Sequence, residues 1–482
     1  MKTIKLFMLV CLLASASACE LLQPGDIINP NVDEDTFLKS ANAMQSWVNG
    51  TNKSFAEAIG TFAELTEILS DNYFNNYSQS SKVFDIPEIL YTDADVTALQ
   101  RYIGTLRESA NYGIDEVAQA DPETTNSHLF NLYYIKGYSY LLAGEYFTAL
   151  PVEAGGEVKE WNTQLTMAIQ TFRDALGYAG NQEDTAFINT LIARAYHKLG
   201  DKTNAVNYAN AALECSIDFV KNVYFDGEKG VTNSIQLYTF GFQFQPLPRL
   251  DFLDPKYFVL TNLEQRPVCI AKAEELHLIL AEASLADNNI NPAKQQLKEL
   301  LALVASRPVE TVDDQRDDRH NGGFKYYPDS SAYKVAASPD EPFREGLVLN
   351  RQAPNFISIP YVSGTSVDTA MIDNATSVDD LLEIVYLMRQ EIFFAEGRRA
   401  SDLGIRLPVC EIEAANTSSA APYIDAQIPS FIPSDKEMDA FEMDRDAKTV
   451  VIRHNMNKII VANKGLECVI PFFGGSRAGS GF

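Results

Sequence analysis

The densest set of residues able to do chemistry lies in Met388–Leu403, Met-Arg-Gln-Glu-Ile-Phe-Phe-Ala-Glu-Gly-Arg-Arg-Ala-Ser-Asp-Leu. Glu391 and Glu396 could serve as a paired acid and base, which would make the chain a glycan-degrading enzyme. On a continuous helix Arg389, Glu396 and Arg399 fall close together, and Glu391 falls near Arg398. Arginines on both sides depress carboxyl pKa values, the wrong direction for a general acid. Glycosidase carboxylates also flank a cleft rather than sit within a helix. The segment therefore reads as an ion-pair motif, with Arg389, Glu391, Glu396, Gly397, Arg398 and Asp402 fixing a helix end. No catalytic residue is assigned.

Other sources of chemistry are thin. There is no G-x-S-x-G elbow, H-E-x-x-H pair, P-loop or G-x-G-x-x-G turn. The five histidines are scattered, and His197 and His277 fall inside helix patterns. The acids from Asp313 to Asp318 lack the spacing and glycine of an EF-hand loop, so they read as solvated loop charge. Neither a metal nor a cofactor is expected. Cys215, Cys269, Cys410 and Cys468 are far apart without C-x-x-C spacing, which leaves buried thiols and one or two disulfides equally open. Aromatic residues are abundant, with 22 Tyr and 27 Phe. Their faces stack on sugar rings and their polar tips bond hydroxyls. Tyr73, Phe74 and Tyr77 alternate with amides in a predicted loop, and Tyr326 and Tyr327 follow Gly322-Gly323. These five are the ligand-binding candidates.

The elements that must position these residues read mostly as helix. Apolar residues recur at helical spacing over 54–70, 94–118, 127–149 and 380–403. Over 185–214, two helices break at Gly200-Asp201, with small residues facing across. This resembles a tetratricopeptide-type hairpin, in which Ala193, Tyr196, Gly200, Ala205 and Ala209 fall at small or aromatic positions. One hairpin cannot bury its apolar face alone, so neighbours are predicted: 127–149 with 163–179, and 268–286 with 292–305. Periodicity is lost over 306–375, a loop-rich insert. Thr449–Ile452 is the one strand predicted near the end. The fold class is mainly α, a scaffold of tetratricopeptide-like hairpins (about 127–305) with irregular inserts and little β. A repeat-based protein-assembly adaptor is one function that such a scaffold allows.

Residues 1–18 read as an export signal: Lys2 and Lys5, then apolar Leu6 to Leu13, then small residues to Ala18. Ala16-Ser17-Ala18-Cys19 resembles a lipobox, so Cys19 is expected to carry lipid and anchor the chain to a membrane. Residues 19–35 then form a lipidated start and flexible tether, and 36–482 the main domain. The net charge of −26 becomes −28 when Lys2 and Lys5 are removed, a field that repels DNA and RNA. Nucleic acid is not an expected partner.

Taken in order, four segments are similar to those of the SusD/RagB-like outer-membrane lipoproteins of Bacteroidetes. They are the start at Cys19, the aromatic helix leading into Tyr146-Phe147-Thr148-Ala149-Leu150-Pro151-Val152, the stretch Ala271–Ala283, and Arg389–Leu403. The chain departs where Ala400 and Ser401 replace a customary tryptophan, and where Glu20 alone stands for an acidic run. The resemblance implies a non-enzymatic cell-surface lipoprotein of the outer membrane. It would bind an oligosaccharide or other nutrient and deliver it to a SusC-like TonB-dependent transporter. No ligand-contacting residue transfers by motif.

Overall fold

The computed structural model describes residues 33–75, 82–240, 243–259, 261, 263–313, 326–351, 356–433, 437–466 and 469–474. Helix α1 (Glu34–Leu38) starts inside the stretch read as tether. Asp33 caps it by accepting from Thr36 N at 2.8 Å. Helix α2 (Ala43–Ile68) begins eleven residues before the predicted start at 54, through Gly50, Thr51 and Asn52, which are weak helix formers. Burial of Met44 and Val48 against Leu132 and Val117 compensates. Helix α3 (Ala94–Tyr112) runs on through a π turn at Gly113–Val117.

Three helical hairpins follow, as predicted. Helix α4 (Asn126–Tyr146) pairs with α5 (Trp161–Leu176), α6 (Gln182–Lys198) with α7 (Lys202–Cys215), and α8 (Glu274–Ala286) with α9 (Ile290–Ser306). Successive hairpins stack, α5 on α6 and α7 on α8, so each covers the apolar face of the next. Helix α10 (Val378–Ile392) then packs on α8 and α9. Close approach of α4 to α5 depends on glycine. A Cβ on Gly144 would lie 2.5 Å from Leu165 and 2.9 Å from the Trp161 carbonyl. The main core is continuous from α2 to the C-terminal segment.

The fold is mainly α, and its sheets are small. β1 (Tyr73–Asn75) pairs antiparallel with β5 (Phe244–Pro246), β2 (Ala149–Pro151) with β3 (Val158–Glu160), and β4 (Val220–Val223) with β6 (Val268–Lys272). β7 (Glu310–Asp313) pairs with β9 (Phe356–Ile359), which gives the loop-rich insert local order. β8 (Lys334–Ala336) lies parallel to β11 (Thr449–Ile452), whose other edge takes β10 (Phe441–Asp444). Two helix readings are corrected here. Residues 268–272 form β6, with five consecutive buried residues, and the helix starts at Glu274. The helix read over 380–403 ends at Ile392, and a short turn of helix resumes at Arg399–Asp402. Among the described residues, no helix is long and apolar enough to cross a membrane.

Candidate functional site

The charged motif is the first place to look, and it is internal. Helix α10 ends because the chain turns through Ala395 (φ 60°) and Gly397 (φ 72°). That break separates the side chains that a continuous helix would bring together. Arg389 pairs with Asp402, its Nη2 2.8 Å from Oδ1. Arg398 reaches Glu275 at 2.8 Å, and Arg399 reaches Asp71 at 2.6 Å. Glu275 is shared with Arg194, at 2.6 Å. Burial would raise the Glu275 carboxyl, but Arg194 and Arg398 together hold it well below the usual carboxylate range.

The two glutamates have other partners than the predicted arginines. Glu396 accepts from Lys256 Nζ at 2.5 Å and Lys272 Nζ at 2.7 Å. Glu391 accepts from Thr365 Oγ1 and from Ser366 N, both at 2.7 Å. Both residues are buried. Their carboxylates are occupied by fixed donors, which is how a buried charge is held rather than how a proton shuttle is exposed.

Gly397 closes the motif onto α2. Its N–H donates to Glu67 Oε1 at 2.7 Å, and its carbonyl accepts from the Tyr146 hydroxyl and from Thr66 Oγ1. A Cβ here would lie 2.9 Å from the Ala63 Cα, and the positive φ disfavours any side chain. Burial pushes the Glu67 carboxyl up to about 7, against the hydrogen bonds from Asn72 and Gly397.

The aromatic candidates divide. Alternation along β1 sends Tyr73 inward, where it is fully buried and stacks on Phe394 at 4.9 Å. It sits in a strand rather than a loop and has no access to a ligand. Phe74 points the other way and is only partly buried. It meets Tyr327 at 6.2 Å and Phe441 at 5.8 Å, and the last two meet edge to face at 6.2 Å. Residues from two separate predicted segments thus converge. Tyr327 is itself buried, and its hydroxyl donates to Asp251 Oδ1 at 3.1 Å. Asp251 also takes Arg351 Nη2 at 2.7 Å and Leu349 N at 2.7 Å, so Tyr327 is the fixed backing of the cluster. Its neighbour Tyr326 is 73% exposed. Cys19, Tyr77 and Cys468 lie outside the described residues.

Phe441, Asp251 and Arg351 were missed in the sequence. Phe441 opens the short alternation Phe-Glu-Met-Asp of β10, a strand signal too brief to stand out. Among the described cysteines, Cys215, Cys269 and Cys410 are free thiols. His197 is buried, with Nε2 2.9 Å from Glu282, a packed residue as predicted. Two cavities lie apart from the aromatic cluster. One of about 500 Å³ opens between α4 and the start of α6. The other, about 610 Å³ and more apolar, lies between α3 and the Leu150–Val152 segment.

Solved structures are similar to this chain to differing degrees. A SusD superfamily protein of Bacteroides vulgatus superposes with a TM-score of 0.50 at 9% identity, covering 84% of this chain and 93% of its own. A SusD/RagB family protein of Bacteroides thetaiotaomicron gives 0.49 at 11% identity, over 80% and 96%. A SusD-like carbohydrate-binding protein of Bacteroides vulgatus gives 0.48 at 12% identity, over 75% and 82%. No family model and no curated protein matches the chain. The chain shares its fold with that SusD superfamily protein of Bacteroides vulgatus, so the resemblance read from the sequence is borne out at the level of fold.

Proposed function

We propose that this chain is a divergent SusD-like lipoprotein that binds a saccharide without transforming it. The convergence of Phe74, Tyr327 and Phe441 beside exposed Tyr326 carries this reading. Tyr327, fixed from behind by Asp251 and Arg351, backs the other two rings, and a backed ring loses little freedom on meeting a sugar face, which favours binding. The occupied carboxylates of Glu391 and Glu396 support a structural role for the one pair that acid–base chemistry would use.

The same reading assigns Cys19 as the lipid anchor, 1–18 as the signal and the outer membrane as the location. It makes a SusC-like TonB-dependent transporter the partner that receives the ligand. The fold and the four matching segments support these assignments together. Calorimetric titration against neutral oligosaccharides and peptides tests the binding claim. Saccharide binding without turnover, weakened at least tenfold by Phe74→Ala, is expected. Turnover, or saccharide affinity indifferent to Phe74, would overturn it. Mass spectrometry of the mature N-terminus tests the anchor, with diacylglycerol on Cys19 expected.

A further inference from the structure

The cavity of about 500 Å³ falls in the size range of small-molecule sites, roughly 300–1,000 Å³. Asn52 of α2, Asn131 of α4 and Asn181, which caps α6, line it from three separate elements. Amides offer both a donor and an acceptor, the pairing that neighbouring sugar hydroxyls need. Asn131 Nδ2 donates to Asn52 Oδ1 at 3.0 Å, while Asn131 Oδ1 is buried without a partner. Tyr134 and Tyr178 supply aromatic wall, and Tyr178 is braced by stacking on Tyr133 at 5.3 Å.

Lys221 is the group that decides the ligand's character. It sits in β4 where the register with β6 shifts between Lys221 and Asn222, an irregularity that re-aims a side chain. Its ammonium lies over the Tyr134 ring at 5.5 Å and the Phe187 ring at 5.1 Å. It makes no ion pair or hydrogen bond with a described residue. Burial lowers its pKa, with Asp184 and Glu183 opposing from a distance. Asp184 is itself engaged, accepting from Gly180 N at 3.2 Å. A half-buried ammonium with no carboxylate in direct contact is costly, and an anion bound against it would relieve part of that cost, although Asp184 also lines the cavity. The acidic chain as a whole repels anions, so this cation is a local exception to the field.

We propose that this cavity is a second saccharide site, taking a sugar unit that bears a carboxylate, with Lys221 as its counter-charge. The inference rests on the saccharide-binding reading but not on the aromatic cluster. The full chain is titrated calorimetrically with trigalacturonate and with its methyl ester, which keeps the hydroxyls and removes the charge. The acid should bind at least tenfold more tightly than the ester, as expected for one charge-assisted hydrogen bond. Lys221→Met, similar in length and uncharged, should abolish that difference by weakening the acid, without lowering the melting temperature. Phe74→Ala should leave the acid-to-ester ratio intact. Equal affinity for acid and ester, no binding of either, or a ratio that survives Lys221→Met would overturn the proposal. If neutral oligosaccharides still bind in a Phe74-dependent way, only this second site falls. If the Lys221 effect holds while Phe74→Ala changes nothing, the aromatic cluster falls instead.

Discussion

The ion-pair motif around Gly397 and the aromatic cluster around Phe74 lie close in the fold, since Tyr73 stacks on Phe394 while Phe74 faces the other way. They are built on opposite principles. In the motif, Arg389, Arg398, Arg399, Glu391 and Glu396 are buried and held by fixed partners, one nearby in the chain and the others from separate segments. In the cluster, aromatic rings from three segments meet tilted or edge to face, and Tyr327 is held by its hydroxyl bond to Asp251. The difference shows why richness in chemical groups is a poor guide to function. Charges that satisfy one another hold a scaffold together. Aromatic faces left partly open are the ones a ligand can use.

Predictions can break or sharpen this contrast. The largest effect belongs to Arg398→Ala, which leaves buried Glu275 with one arginine instead of two. Losing one partner of a buried pair costs about 3–5 kcal/mol, so denaturant melts should show a drop of that size. A loss under about 1 kcal/mol would mean that the motif does not hold the scaffold. Gly397→Ala comes next, at about 3 kcal/mol, because it combines positive φ with a backbone collision at Ala63. Saccharide affinity measured on the folded fraction should be unchanged in both.

The pH dependence separates two carboxyls within the motif. Glu67 holds its proton up to about 7 in the fold, against 4.5 ordinarily. Its contribution therefore favours folding below about 4.5 and is lost as pH rises through 7. Glu275 has the opposite sign, because its pKa is lowered. Its contribution is present above the ordinary 4.5 and is lost as pH falls well below that. Melts of Glu67→Gln and wild type from pH 5 to 8 should show the variant gaining on wild type by about 2 kcal/mol. A difference that stays flat with pH would contradict this. The smallest effect is expected in the cluster, where Tyr327→Phe removes one hydroxyl bond worth about 1 kcal/mol. Loss of several kcal/mol there would make Tyr327 a pillar of the core instead.

The hairpins were legible because helical spacing is local, so Ala205, Ala209 and Ala212 reveal a buried stripe without reference to the rest of the chain. Arg389 with Asp402 was also within reach, only 13 residues apart. The partners of Arg398 and Arg399 lie 123 and 328 residues away, and no local pattern joins them. Reading Arg389–Leu403 as one helix misplaced the glutamates, because the left-handed turn at Ala395 and Gly397 breaks the spacing. The pairing of Tyr73–Asn75 with Phe244–Pro246 is equally distant, and a three-residue strand carries too little alternation to announce which aromatic faces inward. Tyr73 was therefore grouped with Phe74, although the pleat sets them on opposite faces.

The central claim is that open aromatic faces, and not the charged motif, meet a saccharide. Calorimetry of the full chain with neutral oligosaccharides, comparing wild type, Phe74→Ala and Glu391→Gln, tests it directly. Affinity should fall at least tenfold in folded Phe74→Ala, while Glu391→Gln should lose more stability and keep its affinity once folded. Binding untouched by Phe74→Ala, or a sugar hydrolysis that Glu391→Gln abolishes without unfolding, would contradict the account.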